Sequence, residues 1–231
     1  MRWLLSALVL AHGCVMVVSS YEMTLLHVND IHVKMEETNK WSSACKQADQ
    51  AAGKCYGGVA RLAGAVKKIK SNTPNVLWLN AGDFFQGTIW YTQFKWRVVS
   101  LFNNLLDFDA MTLGNHEFDD KIAGLTPFLR NQSCPVVVSN LNVSQVSSLQ
   151  GLTRSSVTVR LGDKTVGIVG YITPDTKFIS NPEDVIFTDE IEALKVEVSK
   201  LHEAGVDIIV ALGHSGYEKD QEVAAKVNTV F

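Results

Sequence analysis

The chain has 231 residues, 46% of them hydrophobic and 19% charged, an ordinary globular balance with length enough for one large domain around a real core. Its formal charge is −3, from 21 basic and 24 acidic residues, so no basic surface argues for nucleic acid or a membrane. Attraction for an anionic ligand would have to come from a local feature.

Residues 1–20 read as a secretory leader outside the fold. Arg2 gives a positive start, Trp3 to Val18 is almost entirely apolar, and Val18 and Ser20 suit the −3 and −1 positions of a cleavage site. A membrane anchor is the alternative, but the stretch is short for a span. The mature domain is then expected over 21–231. Met23 to Val28 reads as a buried strand, and a polar loop follows to about Gly58. Val59 to Ile69 has helical spacing and ends among Lys67, Lys68 and Lys70, which suit a helix C-terminus. Val76 to Ala81 reads as a strand, Trp96 to Leu106 as a helix, Ala110 to Leu113 as a short strand, Ile122 to Leu129 as a helix and Val136 to Ser139 as a strand. Asn140 to Ser156 reads as a Ser/Gln/Asn-rich surface excursion. Thr158 to Leu161 and Val166 to Tyr171 flank Gly162-Asp163, a hairpin signal. Ile191 to Ala204 reads as a helix, Asp207 to Leu212 as a strand and Glu218 to Val227 as a helix. Strands alternating with helices predict an α/β domain without repeats or a second domain.

A secreted setting permits disulfides. Cys14 leaves with the leader. Cys45 and Cys55 bracket a polar loop that a bond between them would staple, the alternative being two free thiols. Cys134 is then unpaired, or paired outside this chain. Two sequons, at Asn131 and Asn142, fit a glycosylated surface.

Polar clusters follow four of the expected strands: Asp30-Ile31-His32, Gly82-Asp83, Gly114-Asn115-His116-Glu117 and Gly213-His214. Loops beyond the carboxyl ends of strands in open α/β sheets converge on one edge, so the four can meet. Asp, His and Asn are ligands for hard or borderline divalent metals. Asp83 can use both carboxylate oxygens and bridge two ions, which would sit roughly 3.5–4 Å apart. Asn115 offers a neutral oxygen and His214 an imidazole nitrogen. His116 can donate to a phosphoryl or leaving oxygen, and Asp119, three residues on, can orient its ring. The glycines at 82, 114 and 213 are expected to let the backbone turn sharply at the site. His27, inside an apolar strand, reads as core, and His202 as helix surface.

Six blocks carry a resemblance: Leu26 to His32, Tyr56 to Leu62, Ala81 to Thr88, Leu113 to Asp119, Val169 to Tyr171 and Ala211 to Tyr217. In them the chain resembles the calcineurin-like metallophosphoesterases, and more closely the secreted and surface-anchored 5′-nucleotidases, arthropod salivary apyrases included. The resemblance implies a four-layer α-β-β-α sandwich with two divalent metal ions, commonly zinc. It implies Asp30 and His32 on one ion, Asn115 and His214 on the other, Asp83 bridging, and His116 with Asp119 as the catalytic pair. It also implies a Cys45–Cys55 disulfide. A further Gly-His-Ser motif and a C-terminal nucleotide-binding domain are expected beyond Phe231, so the fold is read as incomplete at the C-terminus and this stretch as binding metal weakly and turning over little. The expected substrate is a nucleoside 5′-monophosphate outside the cell, with apyrase action on ATP and ADP as the alternative. A non-catalytic secreted nucleotide-binding protein is the reading from another class. Membrane contact is expected only through a lipid anchor beyond this stretch.

Overall fold

A computed structural model describes residues 21–229. The expected leader lies outside the described residues. Two three-stranded sheets organise the chain. The first runs β1 (Thr24–Val28), β2 (Val76–Asn80), β3 (Ala110–Met111), all parallel. The second runs β5 (Ser156–Leu161), β6 (Lys164–Ile172), β8 (Ile208–His214), with β5 and β6 an antiparallel hairpin and β6 parallel to β8. A small third pair joins β4 (Leu141–Asn142) to β7 (Ile186–Phe187).

Side-chain alternation along the strands makes four layers. Leu77 and Leu79 of β2, Val166 and Ile168 of β6, and Val210 and Leu212 of β8 share one cluster, the seam between the sheets. Trp78, between Leu77 and Leu79, faces the other way. It packs in a cluster with Val66 of α2 (Val59–Asn72), Val98 and Val99 of α4 (Trp96–Leu106), and Leu125 and Phe128 of α5 (Lys121–Arg130). Val169, Tyr171, Ile209 and Ala211 turn outward on the second sheet, where Leu194 and Val198 of α7 (Glu190–Glu203) and Val223 of α8 (Tyr217–Lys226) cover them. The resulting order is helix, sheet, sheet, helix. Asp189 caps α7 by accepting the Glu192 amide at 2.9 Å.

The expected helices and hairpin are present, with ends shifted by a few residues. Three short helices fall where the sequence has no long apolar period: α1 (Gln47–Ala51), α3 (Ile89–Phe94) and α6 (Thr176–Ile179). Val136–Ser139 is not a sheet strand. It crosses between the sheets, the Val137 amide donating to Met111 O (2.8 Å) and the Ser139 amide to Gly170 O (2.7 Å). Gly170 is required there, because a Cβ on it would lie 1.7 Å from Val137 O. The 140–156 stretch is no loose excursion either. Asn140 is buried and its side chain brackets the peptide of Ile172, donating to O at 2.7 Å and accepting from N at 3.0 Å. Leu149 is fully buried as well. His27 is exposed rather than core, since β1 is an edge strand with thin cover. His202 is exposed, as expected. Cys45 and Cys55 are joined by a disulfide with Cα atoms 5.8 Å apart, and Cys134 is a free, buried thiol. Asn131 and Asn142 are both exposed.

Candidate metal centre

Parallel strands point their carboxyl ends the same way, so the loops after β1, β2 and β3 emerge together. Asp30 and His32 follow β1, and Asp83 follows β2. Asn115 opens a 3-10 turn, Asn115–Phe118, after β3. His214 is the last residue of β8. Its Nε2 lies 3.2 Å from Asp83 Oδ2, so the second sheet delivers its imidazole to the same rim. His32 Nε2 lies 3.4 Å from Asp30 Oδ1 and 4.0 Å from Asp83 Oδ2. One donor atom each from Asp30, Asp83 and His214 falls within a mutual 4.8 Å, and the same holds for His32, Asp83 and His116. These groups cut across the ligand pairs expected from the resemblance. Asp83 belongs to both, which is what a bridging carboxylate requires.

The backbone is bent at these positions. Asp30 (φ 53°), His32 (φ 48°) and Asp83 (φ 57°) are left-handed without being glycine. Each such residue costs about 1–3 kcal/mol, and strain of this kind collects where side-chain aim matters more than comfort. Gly82 (φ 92°) is a turn glycine, as expected, and a Cβ on it would also lie 2.4 Å from Gly114 N. Gly114 and Gly213 are glycines for lack of space alone. A Cβ at Gly114 would lie 2.1 Å from Asp83 Oδ1, and one at Gly213 would lie 1.9 Å from Cζ of Tyr171.

Each imidazole is oriented by its Nδ1. That of His32 donates to Phe85 O (2.9 Å) and that of His214 to Ala81 O (2.7 Å), which leaves both Nε2 atoms turned toward carboxylate. Burial works against charge on His214, yet the Asp83 carboxylate outweighs it and holds the pKa up to about 9. Burial likewise opposes charge on Asp83, and His214 with the His116 amide (2.9 Å) holds its carboxyl below the usual range. His116 Nδ1 meets Asp119 Oδ2 at 2.6 Å. Burial lowers the basicity of His116, and Asp119 and Asp83 more than restore it. Asn115 is half-buried at the head of the 3-10 turn. Two carboxylates, two imidazoles whose Nε2 atoms face those carboxylates, and a half-buried side-chain amide fit divalent cations.

Three supporting residues had no role in the sequence reading. Glu117 is fully buried, and its carboxylate accepts backbone N–H groups from Asp83, Phe84, Phe85 and Gly114. Burial and the Asp83 charge raise its pKa, while the amides of Asp83 and Gly114 favour the carboxylate form. Asn80 accepts the Gly82 amide at 2.8 Å, and Ser180 donates to Asp119 Oδ1 at 2.7 Å. A polar residue closing the apolar run Val76–Asn80 was a usable signal for Asn80. Glu117 lay unremarked inside a block already singled out, and nothing local marks Ser180.

The chain belongs to the calcineurin-like phosphoesterase family, whose model matches residues 23–229. Within that family it is 44% identical to the 5′-nucleotidase of Mus musculus over 99% of this chain, and 43% identical to an apyrase of Tabanus yao over 88%. It also superposes on the crystal structure of a 5′-nucleotidase precursor from Thermus thermophilus with a TM-score of 0.79 and 36% identity over 87% of this chain. The chain spans 40%, 36% and 39% of those three proteins.

Proposed function

We propose that this chain is the metal-binding part of a secreted enzyme that hydrolyses phosphate from nucleotides, nucleoside 5′-monophosphates first. The observation that carries the reading is Asp83, common to two converging donor groups and bordered by the His116–Asp119 pair. Asp30, His32, Asp83, Asn115 and His214 would hold two divalent cations, zinc being the expected metal. Cations there supply Lewis acidity: they offset the charge of a phosphate ester and lower the pKa of water at the site. In the reaction a P–O bond forms to water, which gives up a proton to solvent, and the ester P–O bond breaks. His116, in its protonated form, gives a proton from Nε2 to the departing oxygen while Asp119 keeps the ring aimed through Nδ1. The product is a nucleoside and inorganic phosphate.

Apyrase action on ATP and ADP is the second reading, supported by the Tabanus relative. A non-catalytic nucleotide-binding role is disfavoured, because a decayed enzyme has little reason to keep Asp30, His32, Asp83, Asn115, His116 and His214 together. The leader over residues 1–20, the Cys45–Cys55 disulfide and the exposed Asn131 and Asn142 sequons support an extracellular, glycosylated setting. Base and phosphate-chain selection are assigned to polypeptide beyond this stretch. The test is phosphate release from AMP, ADP and ATP by the longest available form of the protein, with and without a chelator. Fastest release from AMP, abolished by chelation, is expected. Release that survives complete metal removal would overturn the reading.

A further inference from the structure

The carboxylate of Glu117 sits beneath the metal centre rather than in it. Its Oε1 accepts from the amides of Phe84 (2.8 Å) and Phe85 (3.2 Å), and its Oε2 from those of Asp83 (2.9 Å) and Gly114 (2.6 Å). Both oxygens are thus filled by donors that can accept nothing in return, and a proton on either would face an N–H. The four amides come from two loops far apart in sequence. Those loops carry or hold several of the proposed ligands. The 83–85 peptides bear Asp83 itself. They also support His32 twice: Phe85 O accepts its Nδ1 at 2.9 Å, and Asp83 O accepts its backbone amide at 3.2 Å. Gly114 precedes Asn115 and His116, and the His116 amide returns to Asp83 Oδ1 at 2.9 Å.

We propose that Glu117 is the positioning residue of the metal centre, a buried anion that locks the Asp83 loop to the Asn115 turn through four backbone amides and so sets the geometry of both cation positions. It coordinates nothing itself. The role rests on the metal-site reading of Asp83 and its neighbours. Charge is essential to it. A Glu117→Gln side chain has the same length but offers one oxygen and an NH2 that opposes two of the four donors. Glu117→Asp keeps the charge and falls a methylene short.

The experiment is titration of the full chain with Co2+, followed by visible absorption, together with backbone amide exchange of the metal-free protein. Glu117→Gln is expected to weaken Co2+ binding about 10–100-fold, the usual cost of removing a residue that orients ligands. Glu117→Asp is expected to fall between it and wild type. The amides of Asp83, Phe84 and Gly114 are expected to be protected in wild type and to exchange faster in Glu117→Gln. Leu194→Ala, in the helix layer over the second sheet, serves as the control: it should lower the melting temperature without changing Co2+ affinity. Equal affinity in wild type and Glu117→Gln would overturn the proposal, as would a loss matched by Leu194→Ala. If Glu117→Gln does not fold, the wild-type exchange decides alone, and unprotected amides at Asp83, Phe84 and Gly114 overturn it. No Co2+ uptake by wild type would sink the metal reading and the positioning role with it, whereas uptake with unprotected amides sinks only the role of Glu117.

Discussion

The first sheet delivers Asp30, His32, Asp83 and Asn115 on loops after three parallel strands, whereas the second delivers His214 alone, on the last residue of a strand. The loops of the first sheet are cross-tied. Asp30 N bonds to Gly82 O at 3.0 Å, His32 N to Asp83 O at 3.2 Å, and Glu117 binds the 83–85 loop to Gly114. His214 depends on strand register, with Ile172 as its pair on β6, and on two ring contacts, to Ala81 O and to Asp83 Oδ2. Tyr171 adds a strut. Its ring lies over Gly213 while its hydroxyl donates to Asp220 Oδ1 of α8 at 2.7 Å. Irregular loops need many ties to aim a side chain, and a regular strand needs few, because its ladder already fixes direction.

That contrast breaks most readily at Asp83. Its carboxylate is shared by both donor groups and meets His214 of the second sheet, so Asp83→Ala should abolish uptake of both cations. Metal analysis after dialysis against Zn2+ reads the outcome, and two ions retained would show that Asp83 bridges nothing. His116→Ala comes next. Its imidazole serves the reaction in this reading, so turnover of the complete enzyme should fall about 10²–10⁴-fold, with metal content nearly unchanged. Loss of metal in that variant would make His116 a ligand, as its place in one of the donor groups allows.

Much of this architecture was legible in the sequence, for a physical reason. Apolar runs such as Val76–Ala81 and helical periods such as Trp96–Leu106 are set by burial, and burial is local in pattern. The four polar clusters stood out because each breaks an apolar run at its end. What stayed hidden depends on partners distant in sequence. Val136–Ser139 looks like a strand by composition, but Gly170 and Met111 draw its amides to different sheets. Asn140 looks like loop until Ile172 is seen beside it. Gly213 looks like a turn glycine, and its true reason is the ring of Tyr171. Glu117 carries no periodic signal, since its partners are backbone amides that any residue would supply.

The second-sheet side can be sharpened at Gly213. An added Cβ would overlap the Tyr171 ring, which its bond to Asp220 prevents from swinging away freely. Gly213→Ala should therefore destabilise the fold by about 1–3 kcal/mol, the usual cost of overpacking, and weaken the cation bound through His214. Tyr171→Ala in the same chain should relieve the overlap and restore affinity in part. A denaturant midpoint and a Co2+ titration on both variants measure this. An unchanged midpoint for Gly213→Ala would mean the strand end is looser than its register suggests.

The gentlest probe is pH, and it acts through His214. Its pKa of about 9 in the metal-free site lies above the ordinary imidazole value of 6.5. A raised pKa means that the folded state holds the proton more tightly than the unfolded chain. The stabilisation from the His214–Asp83 contact is therefore complete below about 6.5 and disappears as pH climbs through about 9. A cation must displace that proton, because only neutral imidazole coordinates. Between those limits, affinity should climb about tenfold per pH unit for each proton displaced, with proton release seen as a buffer-dependent heat in calorimetry at pH 7.5. Removing the imidazole with His214→Gln should flatten the slope by one proton and leave the first-sheet ligands in place. If wild type and His214→Gln show the same slope, the titrating group belongs to the first sheet, and the His214–Asp83 contact is not what tunes cation uptake.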